Sequence, residues 1–379
     1  MPQPSFLQVI LEEPDGRRSG AEIRNTANFA TASKLLAGDV YPLARLGRKS
    51  PTRAPRSPTV AALDARRIAA LHETIAARQP RVVIFEGVAL LDALAATRRA
   101  FPGLGLVLDC HNVESAVEAA VRRARWPAAL RWLVPFIQRG ALARSRAADR
   151  EAMELVDTVW FCSPDDLAAA RRLGPVPRAH VIPNPIPPWV AAARSACTAP
   201  GDEVLFVGHL GYHPNRRAVH ELCAAILPRL RRLRPDTRLH VCGRSPAPAL
   251  ARLVEAAGGR LTADPPDLGD AYRRAAVVAV PLREGGGTRI KIIEALAIGR
   301  PIVATAKAVE GLGLAPGTHY VRAETPREFA TALARLLDDP DGARALAARG
   351  GEVVEARFGS QAREAAYSEA LKPFGARSP

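Results

Sequence analysis

A chain of 379 residues with 48% hydrophobic content has enough apolar material for two separate cores, which excludes a disordered or fibrous polypeptide. Its 53 lysines and arginines against 38 aspartates and glutamates give a formal net charge of +15, a field that draws phosphorylated ligands and anionic headgroups. No zinc-finger spacing or RNA-recognition surface marks a nucleic-acid partner, no apolar run nears the roughly 20 residues of a membrane span, and the five scattered cysteines suit reduced, buried thiols in a cytoplasmic protein.

In chain order, residues 5–11 read as a first strand, followed by a polar loop through Gly20 and a helix over 23–37. Short apolar strands are expected at 81–85, 105–109, 158–162 and 179–182, with alanine-rich helices between them, the pattern of a parallel sheet wrapped by helices. Residues 50–58, SPTRAPRSP, read as an exposed loop. The stretch 121–148 combines Arg122, Arg123, Arg131 and Arg139 with Trp126, Trp132 and Phe136. It suits either peripheral contact with an anionic membrane, at its inner face, or a helix covering the first core with its arginines in water.

A proline-rich stretch then reads as a linker at 188–201. A second alternating series follows, with strands at 203–207, 238–242, 260–262, 277–280, 302–304 and 319–321 and helices at 217–234, 248–257, 289–298, 326–338 and 341–356. The expected organisation is α/β: two Rossmann-like domains, 1–187 and 202–357, facing across a cleft, with the segment 358–379 crossing back to the first.

The segment 280–301, VPLREGGGTRIKIIEALAIGRP, carries the most chemistry. A buried strand runs into Gly285, Gly286 and Gly287, whose missing side chains let a phosphate approach bare N–H groups at the start of the next helix. Thr288 is placed to cap that helix. Lys291 and Glu294, three residues apart, bring a cation for a diphosphate beside a carboxylate for sugar hydroxyls. The pattern is neither a Walker loop nor a GxGxxG dinucleotide fingerprint.

These motifs, with FVGHLGYHPNRRAVHEL from residue 206, FATALARLLDDP from 329 and the earlier RSGAEIRN, LDCHNVES and VIPNP, resemble the retaining glycosyltransferases of family four, which have the GT-B fold. The resemblance covers almost the whole chain. It implies that Glu294 holds the donor ribose, that Arg289 and Lys291 clamp the diphosphate, and that Gly208, Asn215, Gly286, Gly287 and Thr288 line the donor site. It implies further that Gly20 admits the diphosphate in the first loop and that His111, at a strand end, stands near the transferred sugar. The reaction implied is front-face displacement from a nucleotide-sugar co-substrate, UDP- or GDP-linked, with no metal and no resident cofactor, onto an undetermined acceptor. Eight residues before Glu294 the family's first glutamate is replaced by Gly286, and Glu284, offset by two, is the donor-site carboxylate expected to substitute for it. A non-catalytic scaffold binding polyanions and a nucleotide-sugar epimerase are the competing classes.

Overall fold

The computed structural model describes residues 5–13, 20–43, 56–124, 126, 128–196 and 203–376. Segments such as VVIFE are apolar on both faces because helices cover both faces of the sheet they enter, and such strands pair in parallel. The first compact unit comprises Met1–Asn184 with Gln361–Pro379. Its strands are β1 (Ser5–Ile10), β2 (Ala37–Pro42), β3 (Val82–Glu86), β4 (Gly105–Cys110), β5 (Thr158–Phe161) and β6 (Arg178–Val181). They form one parallel sheet in the order β2-β1-β3-β4-β5-β6.

Strand β2 corrects the expected helix over 23–37. The helix Gly20–Ala32 stops early, and Ala37–Pro42 pairs with β1 from Ser5 opposite Ala37 to Ile10 opposite Pro42. An edge strand has one unpaired side, so it tolerates Gly38 and Pro42 and needs no apolar run.

The second unit, Pro185–Ser360, holds β7 (Glu203–His209), β8 (Arg238–Arg244), β9 (Arg260–Ala263), β10 (Ala275–Val280), β11 (Ile302–Ala304) and β12 (Val321–Arg322). These are also parallel, in the order β12-β11-β10-β7-β8-β9. The strand expected at 319–321 begins only at Val321. The stretch read as a linker carries the helix Trp189–Ala196, which buries Val190 and Ala193 in the second core. Its last residues, 197–201, lie outside the described residues, as do 50–55. The helix expected over 217–234 starts at His213 and passes through a π turn at Leu222–Ile226 before Leu227–Leu233. Pro228 lacks the N–H that would close an α turn there.

After the helix Pro340–Phe358 the chain returns to the first unit as the helix Ser360–Leu371. Tyr367 meets Trp160 edge-on with ring centroids 5.1 Å apart, and Ala370 and Leu371 join Phe6 and Ile182 in the same apolar cluster. Cys110, Cys162, Cys223 and Cys242 are free thiols buried in the two units, and Cys197 lies outside the described residues. Among the described residues no helix is long and apolar enough to cross a membrane.

Candidate functional site

In the second unit, β10 leads through the glycine loop into the helix Ile290–Ile298. Gly285 and Gly287 have φ of +117° and +61°, a region that side chains strain to enter, so this turn needs glycine. The N-cap position is Arg289 and not Thr288, and the Arg289 side chain makes no capping hydrogen bond. The helix turns the positive end of its dipole toward the loop.

Arg289, expected at the diphosphate, bonds the glycine loop itself. Its guanidinium donates to the carbonyls of Gly285 at 2.9 Å and Gly286 at 3.0 Å, to that of Gly287, and to that of Lys307 at 3.3 Å. The glycine loop turns its carbonyls inward, and a planar five-donor cation fits that convergence. Arg289 therefore fastens the loop.

Lys291 is differently placed. Its Nζ donates to Asn215 Oδ1 at 2.8 Å and lies 4.4 Å from the centre of the Phe206 ring. Asn215 in turn donates to the His209 carbonyl at 2.8 Å, tying the helix His213–Glu221 to the end of β7. At Gly208 a Cβ would stand 2.7 Å from Lys291 Nζ and 2.9 Å from Asn215 Nδ2, so the bare backbone makes the room that both occupy. Burial holds the Lys291 amine down at about 7, Arg289 adding to the effect and Glu294 opposing it.

Glu294 lies one turn further along and is buried. Its Oε2 accepts from the Tyr272 hydroxyl at 2.9 Å, and burial pushes its carboxyl up to about 7 against Tyr272 and Lys291. Glu284 is also buried but is held by Arg217 Nη1 at 3.1 and 3.3 Å, with His213 Nδ1 3.6 Å away. Gly286 supplies a carbonyl to Arg289 where the family pattern has a carboxylate.

In the first unit, His111 follows β4 and belongs to a buried polar cluster at the carboxyl ends of β3 and β4. Its Nε2 sits 3.0 Å from Glu86 Oε2 and 3.7 Å from Asp109 Oδ2. Arg24 grips both oxygens of Asp109, at 2.7 and 2.5 Å, and donates to the Ile182 carbonyl at 2.9 Å and to Asn184 Oδ1 at 3.0 Å. Asn28 bonds Asp109 at 2.7 Å, and Gln8 bonds Glu86 at 2.6 Å. Burial and the nearby Asp109 push Glu86 up to about 7; burial also works upward on Asp109, but Arg24 overrides it and holds that carboxyl at about 2. Burial works against the His111 imidazolium, yet the bond to Glu86 and the charge on Asp109 raise its pKa overall. Glu86, Asp109 and His111 bring three potential metal-ligand atoms within 4.8 Å of one another. Arg24 already occupies both oxygens of Asp109, so the donor set suits a guanidinium better than a metal ion.

Gly20 opens the helix Gly20–Ala32 and is exposed. The sequence reading missed Tyr272, Phe206, Arg24, Glu86 and Asp109. The visible signal for the two acids was a carboxylate closing an otherwise apolar strand, VVIFE and GLVLDC.

A model of the family described as glycosyl transferases group 1 matches residues 201–339, the part that holds Lys291 and Glu294. No curated protein sequence matches the chain. Among solved structures, sucrose-phosphate synthase from Thermosynechococcus elongatus superposes with a TM-score of 0.72 at 18% identity, covering 98% of each chain. OtsA in its apo form gives 0.68 at 13% identity, over 99% of this chain and 100% of that one. Anabaena HepE, in complex with UDP-glucose, gives 0.64 at 14% identity, over 97% and 99%. At such identities the likeness is one of fold. The two parallel six-stranded sheets with their helices match the GT-B architecture of glycosyltransferase structures.

Proposed function

We propose that the chain is a retaining glycosyltransferase that moves a hexose or related sugar from a UDP- or GDP-sugar to a saccharide, lipid-linked or small-molecule acceptor in the cytoplasm. The observation that carries this reading is Lys291 Nζ, held by Asn215 over Gly208, with Glu294 on the next turn of the helix that follows the glycine loop. A diphosphate seated there meets an ammonium and open backbone N–H groups, which stabilise the charge that grows on the leaving nucleotide. Glu294 is assigned the ribose hydroxyls. The bond from the anomeric carbon to the phosphate oxygen breaks while the acceptor oxygen bonds to the same face of that carbon. The acceptor's proton passes to the departing phosphate. Lys291 and the helix end balance the diphosphate charge in this scheme, which uses neither a metal nor a resident cofactor. His111, held by Glu86, is assigned contact with the transferred sugar, and Glu284 orders the loop through Arg217.

The test is thermal stabilisation by UDP, GDP, ADP and their sugar conjugates. A ligand at 100 times its dissociation constant adds about 2.7 kcal/mol. One nucleotide is expected to raise the Tm of the wild type while Glu294→Ala and Lys291→Ala lose the effect. If none does so, or if the variants respond as the wild type does, the donor site is not here and a polyanion-binding scaffold accounts better for the basic chain.

A further inference from the structure

Six large apolar side chains are exposed among the described residues, and four of them, Leu130, Trp132, Phe136 and Ile137, fall within eight consecutive positions. Trp132 is 63% exposed, Phe136 72% and Ile137 59%, so these rings and branches are not the cover of the first core. That cover is supplied by other residues of the same segment: Val134, Leu142 and Ala148 are buried. The segment thus has an inner face that holds the fold and an outer apolar face that no described residue covers.

Cations dominate the sequence of this segment, and the nearest acid before it, Glu118, is paired with Arg122. Residues 119–148 contain seven arginines and no aspartate or glutamate. Arg123, Arg139, Arg144 and Arg146 are exposed beside the apolar tip. In a protein-protein interface both signs of charge are usual at the rim, whereas an excess of arginine around tryptophan and phenylalanine suits phosphate headgroups above acyl chains.

The position of the face is set by three bonds. Ser115 N donates to Asp149 Oδ2 at 2.8 Å and Arg122 Nη1 to Gln138 Oε1 at 2.8 Å, so the helix Glu114–Ala124 runs antiparallel to the helix Arg139–Glu154. Ser145 meets Ser57 at 3.3 Å, beside the turn Val88–Leu90 that follows β3. The connection between the two helices therefore projects past the carboxyl edge of the first unit's sheet, the edge at which His111 stands. Its backbone is a 3-10 turn, Ala128–Leu133, and a single α turn, Val134–Ile137, a short ledge that presents Trp132, Phe136 and Ile137 outward.

We propose that this ledge docks the protein on an anionic lipid bilayer, with Trp132, Phe136 and Ile137 entering the interface and the flanking arginines on the headgroup phosphates. The docking rests on the exposed apolar side chains and the excess of arginine beside them, and does not depend on sugar transfer.

The experiment is co-sedimentation of the full chain with vesicles of phosphatidylcholine alone and of phosphatidylcholine with roughly one-third phosphatidylglycerol. The wild type is expected to bind the anionic vesicles and to lose most of that binding in roughly 0.5 M salt, where the Debye length falls below the reach of the arginines. Trp132→Ser with Phe136→Ser is expected to weaken partitioning by about tenfold or more, and each of Arg139→Glu and Arg144→Glu by roughly fivefold or more. All four positions are exposed, and an unchanged Tm and unchanged nucleotide stabilisation would show that these variants are folded. Binding to neutral and anionic vesicles alike, or undiminished binding by the variants, overturns the proposal. So does lipid-free dimerisation of the wild type that the Trp132→Ser, Phe136→Ser variant abolishes, because the ledge is then an interface between copies of the chain.

Discussion

A lysine held against the Phe206 ring and the bare backbone of Gly208 loses most of its hydration, and its amine is held down at about 7. In the reading proposed above, a diphosphate brought to Lys291 favours the ammonium and draws the pKa back up. Binding then takes up a proton when it occurs above pH 7. The sign for Lys291 follows directly: below about pH 7 its amine is already charged and adds no pH dependence, and above it its contribution to affinity falls toward tenfold per pH unit as the amine must be protonated first, while Glu294, also at about 7, adds its own dependence below that point. A nucleotide sugar is the right probe, because its diphosphate diester keeps a constant charge over this range. Calorimetry at pH 8 in two buffers of different ionisation enthalpy should register the proton uptake. A buffer-independent heat, with affinity flat from pH 6 to pH 9, would place the diphosphate away from Lys291. Lys291 and Glu294 were legible in the sequence because a helix pattern fixes which residues share a turn. What was not legible was where Arg289 would point: the preceding loop's carbonyls decide that, and their direction follows from the φ of Gly285 and Gly287.

The strand ends β7 and β8 approach each other without side chains, Gly208 opposite Gly243. The two glycines serve different ends. A Cβ on Gly243 would stand 1.8 Å from the Gly208 carbonyl oxygen, which is ladder backbone and cannot yield. A Cβ on Gly208 meets the ends of Lys291 and Asn215, which can swing aside. Gly243→Ala should therefore cost the fold about 2 kcal/mol or more, read as a lower Tm. Gly208→Ala should change Tm little and weaken nucleotide binding by about tenfold or more, since the ammonium is displaced from its place between Asn215 and Phe206. Equal effects of the two on Tm would show that Gly208 is a packing requirement of the ladder alone. The apolar strands of both sheets were readable from their valine-rich runs, most within one or two residues. Strand β2 was not, because an edge strand of composition AGDVYP owes its place to pairing with β1 and not to its own pattern. The helix Trp189–Ala196 was hidden by the prolines that precede it.

At the scale of the whole chain, the first unit is built from both ends of the sequence. The helix Ser360–Leu371 completes the first unit from the far end of the sequence, and it does so with both polar and apolar contacts. Arg363 donates to Asn28 Oδ1 at 3.1 Å and to the Pro183 carbonyl, adding a second guanidinium to the cluster that holds Glu86, Asp109 and His111. Tyr367 is fully buried against Trp160 while its hydroxyl has no hydrogen-bond partner among the described residues. Ring and hydroxyl then act in opposite directions. Removing the ring opens a cavity beneath Trp160, so Tyr367→Ala should lower the stability of the first unit by about 3–5 kcal/mol. Removing only the hydroxyl deletes a buried polar group that bonds to nothing, so Tyr367→Phe should leave stability unchanged or raise it by about 1 kcal/mol. Calorimetric scans with and without the stabilising nucleotide separate the units. The Tyr367→Ala transition that moves down should be one the nucleotide does not shift, because Lys291 and Glu294 belong to the second unit. If Tyr367→Ala instead abolishes nucleotide stabilisation with the second transition lowered equally, the two units fold as one cooperative body, and the returning helix is a support of the donor site as well as of the first sheet.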